Sequence, residues 1–101
     1  MPSAARVVVP PLASRAHELD RIIVEYAGDA IAELGAPHEA FTADDRAWVR
    51  DHAAGSLAEI EKATLRLVTL YTSRNLSHAA ARLGMAPVSL SRWLGRRELP
   101  R

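Results

Sequence analysis

The chain contains no cysteine, which excludes disulfides and thiolate metal sites and suits a reducing compartment. No apolar run approaches the roughly 18 residues that a membrane-spanning helix needs. Residues 1–11 have neither the charged start nor the long apolar stretch of a secretory signal. No GxxxxGK(S/T) loop occurs to cradle a triphosphate. The four histidines, His17, His38, His52 and His78, do not pair at i, i+3 or i+4 on one helix. They read as surface or capping residues, and no metal or other cofactor is expected. Asp44 and Asp45 sit where a helix begins, so they read as capping groups and not as a catalytic acid pair. With 101 residues there is material for a modest core but not for a large enzymatic cleft, and no enzyme activity or small-molecule substrate is expected.

What the chain does have is an uneven charge. Its net charge is +1, yet residues 1–58 carry five Lys/Arg against nine Asp/Glu, a net of −4. Residues 59–101 carry eight Lys/Arg against three Glu, a net of +5. A basic C-terminal half on a nearly neutral chain is the footprint of a polyanionic partner, or simply a solvated basic face.

The apolar period is helical. Residues 1–13, with Val7, Val8 and Val9 stopped by Pro10-Pro11, read as an extended arm. From His17 to Leu34, apolar residues recur at three- and four-residue steps, and Gly35 is placed to end that helix. Thr42 with Asp45 predicts a capping box and a short second helix whose apolar face holds Ala47, Trp48 and Val49. Ser56 with Glu59 predicts a second box and a third helix through Leu57, Ile60, Thr64, Leu67, Val68 and Tyr71. Asn75 is placed to cap a fourth helix, His78 to Leu83, closed by Gly84. Pro87 suits the first turn of a fifth, ending near Leu94. Nothing after Val9 reads as a strand, and no repeat is apparent. The expected class is all-α.

Two short helices joined by a glycine turn form a helix-turn-helix, whose second helix enters the DNA major groove. Ala79 and Ala80 are small enough for close helix crossing, and Leu83 and Met85 suit the space beneath the turn. Leu90 and Leu94 mark the inner face of the fifth helix, which turns Ser89, Ser91, Arg92 and Arg96 outward. Trp48 reads as core. Trp93 is placed either to pack on the third helix or to lie along a phosphate.

The run Asn75-Leu76-Ser77, Ala79-Ala80, Leu83-Gly84-Met85, Ser89-Leu90 and Arg92-Trp93-Leu94 resembles the Fis-type helix-turn-helix that ends many bacterial enhancer-binding regulators of the NtrC type. With Glu59-Ile60-Glu61 at the family's spacing, the match covers residues 57–97 without a gap. Upstream, Val9-Pro10-Pro11-Leu12 with Arg15, the helix of 17–34, Phe41-Thr42 to Val49, and Ala54–Ile60 resemble, in degraded form, the helical lid of that family's AAA+ ATPase. Ala58 stands where the family has its nucleotide-sensing arginine, Ala54 replaces a proline and Ala13 replaces an arginine.

This resemblance implies a lid-like segment over residues 1–55 and a Fis-type DNA-binding domain over 56–101. It implies double-stranded DNA as partner, a homodimer, and a cytoplasmic, nucleoid-associated transcription regulator working with an alternative sigma factor. The implied recognition helix is 87–94. Ala86, Pro87, Ser89 and Arg92 take groove-facing positions, with Ser91 alongside. Asn75, Ser77 and His78 fall where short polar groups and backbone amides meet phosphate. Arg74, Arg82, Arg96 and Arg97 are expected backbone contacts. Pro87 replaces a basic groove-contacting residue, which weakens direct readout. The third-helix stripe Leu57, Ile60, Thr64, Leu67 and Tyr71, with Leu65, Val68 and Leu70 partly off it, is wider than packing in one chain requires. It is the expected dimer interface unless the helices of 17–52 cover it. The rival reading is a helical interaction module that does not bind DNA, which would show no salt-dependent retention on heparin.

Overall fold

A computed structural model describes residues 16–95. Within them it is all-helical: α1 Ala16–Leu34, α2 Ala43–His52, α3 Leu57–Tyr71, α4 Leu76–Leu83 and α5 Pro87–Leu94, with one 3₁₀ turn at His38–Ala40. The extended arm expected for residues 1–13 lies outside the described residues. None of the described helices is long and apolar enough to cross a membrane.

Local chemistry accounts for most helix ends. After α1 and α4 the chain turns through Gly35 and Gly84, at φ of 64° and 69°, a left-handed conformation that glycine adopts without a Cβ penalty. Both ends close with the same pair of bonds. Ala36 N–H donates to the Ile31 carbonyl at 2.9 Å and Gly35 N–H to Ala32; Met85 N–H donates to Ala80 at 2.9 Å and Gly84 N–H to Ala81. These are Schellman closures, which satisfy carbonyls a helix end would leave bare. At the start of α2 the capping box is complete: Asp45 N–H donates to Thr42 Oγ1, and Thr42 N–H donates to the Asp45 carboxylate.

The box expected at Ser56 forms only in half. Glu59 N–H donates to Ser56 Oγ at 3.1 Å, but the Glu59 carboxylate accepts from Gly55 N–H, one residue earlier. Helix α4 begins at Leu76, directly after the Asn75 cap, and not at His78. The 3₁₀ turn was not anticipated. Pro37 at its cap holds an extended backbone, and the turn buries Ala40 against Ala30 and Val68.

The main core joins α1, α2 and α3 through Leu19, Ile23, Trp48, Val49, Ala53, Ala54, Ile60, Ala63 and Leu67. A smaller core holds Ala79 and Ala80 of α4 against Leu90 and Leu94 of α5. Leu70 and Trp93 pack on both. Outside the core, Asp20 of α1 accepts from Arg50 Nη1 of α2 at 3.1 Å and 3.3 Å. The Arg50 guanidinium is held above its ordinary pKa, first by its bond to Asp51 and then by Asp20.

The main core crosses the division placed between residues 55 and 56. The segment before it and the helix after it share one apolar interior, so that division follows sequence pattern and does not separate two cores. The third-helix stripe is also spent largely within the chain. Ile60, Thr64 and Leu67 are buried, two of them in the core shared with α1 and α2, while Thr64 Oγ1 donates back to the Ile60 and Glu61 carbonyls. Leu57 and Tyr71 remain exposed, at 47% and 52%.

Two glycines should respond oppositely to alanine. Gly28 lies inside α1 with open space where a Cβ would stand, so Gly28→Ala is expected to stabilise by about 0.5–1 kcal/mol. Gly84→Ala forces a side chain into the left-handed region and is expected to cost about 1–2 kcal/mol. Urea unfolding of the two variants measures both signs.

Candidate nucleic-acid interface

The fourth helix is set by its first turn. Asn75 Oδ1 accepts from His78 N–H at 2.8 Å, which commits the side-chain carbonyl to capping and leaves its amide N–H groups outward. Arg74 N–H donates to His78 Nδ1 at 3.2 Å. Nδ1 is therefore the acceptor nitrogen, and in the neutral ring Nε2 carries the hydrogen, making it a donor. Arg74, Asn75 and Ser77 are exposed and His78 is half-buried. Asn75, Ser77 and His78, grouped on sequence grounds, lie together at the start of α4, with Arg74 directly before them.

Arg82 also makes bonds within the chain. It is exposed, but its Nη1 donates to Thr72 Oγ1 and Ser73 Oγ, both at 2.9 Å. Those hydroxyls in turn donate to the Val68 and Thr69 carbonyls. Arg82 thus braces α4 against the end of α3, and only its remaining N–H groups are left for an outside acceptor.

Behind the turn, Ala79, Ala80 and Leu90 are wholly buried and Leu94 nearly so. The two methyl side chains let α4 and α5 approach closely, and Leu76, Leu83 and Met85 close the sides. Burying one apolar face of α5 turns the other outward. Ala86, Pro87, Ser89, Ser91 and Arg92 are all exposed. Val88 is exposed at 59%; sequence reasoning passed over it, although it falls one helical turn before Ser91 and Arg92. Arg96 and Arg97 lie outside the described residues.

Trp93 packs inward. Its ring meets Trp48 of α2 edge-on, at 5.2 Å between centroids and 77° between planes, a favoured aromatic geometry. Trp48 also stacks on His52 at 5.4 Å, whose Nδ1 lies 3.2 Å from the Trp48 carbonyl. On Trp93 rests the Arg66 guanidinium, 5.1 Å from the ring centroid. Arg66, Met85, Ser89, Arg92 and Trp93 line an open cleft of ≈ 420 Å³ between α3 and α5. Arg66 was not among the sequence candidates, because its distance along the chain from Trp93 conceals that they touch.

Among the described residues no cluster of three or more His, Cys, Asp or Glu is placed to hold a metal ion. No protein-family model, curated protein or solved structure matches the chain.

Two measurements probe this geometry. Asn75→Ala should cost about 0.5–2 kcal/mol in chemical denaturation, the ordinary worth of an N-cap. A double-mutant cycle replacing Trp48 and Trp93 by leucine should return a coupling of about 0.5–1.5 kcal/mol. Additive effects would mean that the two rings do not interact in solution.

Proposed function

We propose that the chain binds duplex DNA through α4 and α5 as a Fis-type helix-turn-helix, and that it serves as a transcriptional regulator or as the DNA-binding end of one. The observation that carries this reading is the two-sidedness of α5. Its inner face is buried in the chain, whereas Ala86, Pro87, Ser89, Ser91 and Arg92 are presented outward, and Arg74 is exposed just before α4. The excess of positive charge in residues 59–101 supports a polyanionic partner.

In this reading α5 lies in the major groove and Arg92 reaches a guanine edge or an adjacent phosphate. Asn75, Ser77, His78 and Arg74 meet the backbone at the start of α4, and Arg82 orients α4 while offering its free N–H groups. Helices α1 and α2, lid-like in sequence, serve as the scaffold that holds α3. No catalytic role and no cofactor are assigned.

A homodimer remains part of the proposal, now resting on exposed Leu57 and Tyr71 and no longer on the whole stripe. Two-fold pairing would set two recognition helices roughly 34 Å apart on a palindromic site. Sedimentation on DNA is expected to give the mass of two chains per duplex; a single chain per site would overturn the pairing.

Titration of a labelled duplex should show log affinity falling with log salt at a slope of about −4 to −5, from about −0.9 per neutralised phosphate. A flat response would favour the rival reading, an interaction module that does not bind DNA. Arg92→Ala should cost about 1–3 kcal/mol and relax preference at one base pair, whereas Arg74→Ala should weaken all sequences alike. Equal behaviour of the two variants across a panel of sites would overturn these assignments.

A further inference from the structure

Arg66 belongs to α3, outside the helix-turn-helix, yet it meets α5 through Trp93. The side chain is half-buried over the face of Trp93. Burial pulls its pKa below the ordinary guanidinium value, though an arginine there still carries its charge at neutral pH. Among the described residues it has neither a hydrogen-bond acceptor nor a carboxylate partner. Withdrawing a cation from water without a counter-charge is unfavourable, and the ring face offsets only part of that. An anion arriving beside it would recover the remainder.

The cleft next to Arg66 suits such an anion. Among the described residues its lining holds two guanidinium groups, from Arg66 and Arg92, the Ser89 hydroxyl, and no carboxylate. Guanidinium forks and hydroxyls are the donors that match a phosphate's oxygens. Ser89 and Arg92 sit one turn apart on α5, so an anion held there contacts α3 and α5 together. Both residues are also exposed on the outer face of α5, which makes the cleft continuous with the surface assigned to DNA. A phosphate belonging to the duplex would therefore reach it while α5 occupies the groove.

We infer that Arg66, resting over the Trp93 ring, grips one backbone phosphate of duplex DNA in the cleft it shares with Ser89 and Arg92. The inference rests on the duplex-binding reading above and extends that interface to α3.

The test uses the full chain, a labelled duplex and a salt series. Arg66→Gln should bind several unrelated duplexes more weakly by a common factor, about fivefold near physiological salt, with the salt slope shallower by about 0.9. Arg66→Lys should keep the slope. Arg66→Met, which keeps alkyl packing on Trp93, should behave as the glutamine variant does and serves if that variant melts early. Replacing single phosphates by neutral methylphosphonates should reveal one position that weakens the wild type and leaves Arg66→Gln unchanged. Steep salt dependence in the wild type, with slope and affinity unaltered in Arg66→Gln and Arg66→Met, would overturn the role of Arg66 alone. Loss of salt-dependent binding in the wild type itself would overturn the underlying reading as well. Displacement of wild-type protein from duplex by inorganic phosphate at matched ionic strength, absent in Arg66→Gln, would make the cleft a small-anion site and overturn DNA as its source.

Discussion

The contact of Trp93 with Trp48 is the constraint on which the arrangement of this chain depends. Helices α4 and α5 are eight residues each, well short of the roughly 12–15 residues at which an isolated helix becomes even marginal in water. The fully buried part of the core between them is two alanines and two leucines, with Leu76, Leu83 and Met85 only partly buried at its sides, little apolar surface with which to hold a pair of such helices in a defined orientation. Their direction is therefore set from outside. Leu70 ties them to the end of α3, and Trp93 ties them to α2, because both residues pack on the main core as well as on the smaller one. Arg82 adds a polar brace from α4 to Thr72 and Ser73.

This dependence gives α3 two duties. One part of its surface completes the interior formed with α1 and α2; its far end, through Leu70, supports α4 and α5. A helix used in this way has little apolar surface left for a partner, and what is left lies at its extremes, at Leu57 and Tyr71. The N-terminal helices are accordingly a structural requirement of the C-terminal unit. They bury Ile60 and Leu67 and supply Trp48, without which Trp93 would have no ring to meet.

Charge is divided along the same line. On the α1–α2 side two of the cations are matched within the chain: Arg50 is bonded to Asp20 and Asp51, and Arg46 lies 3.9 Å from Asp20. Pairs this exposed add little stability, and the acidic residues in excess over them keep this side net negative. Near α4 and α5 the cations Arg66, Arg74 and Arg92 have no carboxylate partner among the described residues. Potential accumulates where it is not neutralised locally. Unpaired positive charge thus gathers around the two short helices, the feature on which the proposed polyanionic partner rests.

The local grammar of the chain was legible in its residues alone. The caps at Thr42, Ser56 and Asn75, the glycine closures at Gly35 and Gly84, the proline opening α5 and the inward pair Leu90 and Leu94 all follow from hydrogen bonds or spacings that span only a few residues. Such interactions depend on the backbone of one turn, so the order of side chains determines them wherever the helix finally lies. The outward set on α5 was legible for the same reason, since burying Leu90 and Leu94 leaves Ser89, Ser91 and Arg92 no other side. Even locally there was a limit: the Glu59 carboxylate bonds the Gly55 N–H, one residue before the cap that the capping-box pattern names. Which partner covered the α3 stripe, which way Trp93 turned, what Arg82 bonded and what Arg66 rested on were decided only by the tertiary structure. Each depends on residues far apart in the chain meeting at a few ångströms, and a helical period records which face is apolar without recording what will be packed against it.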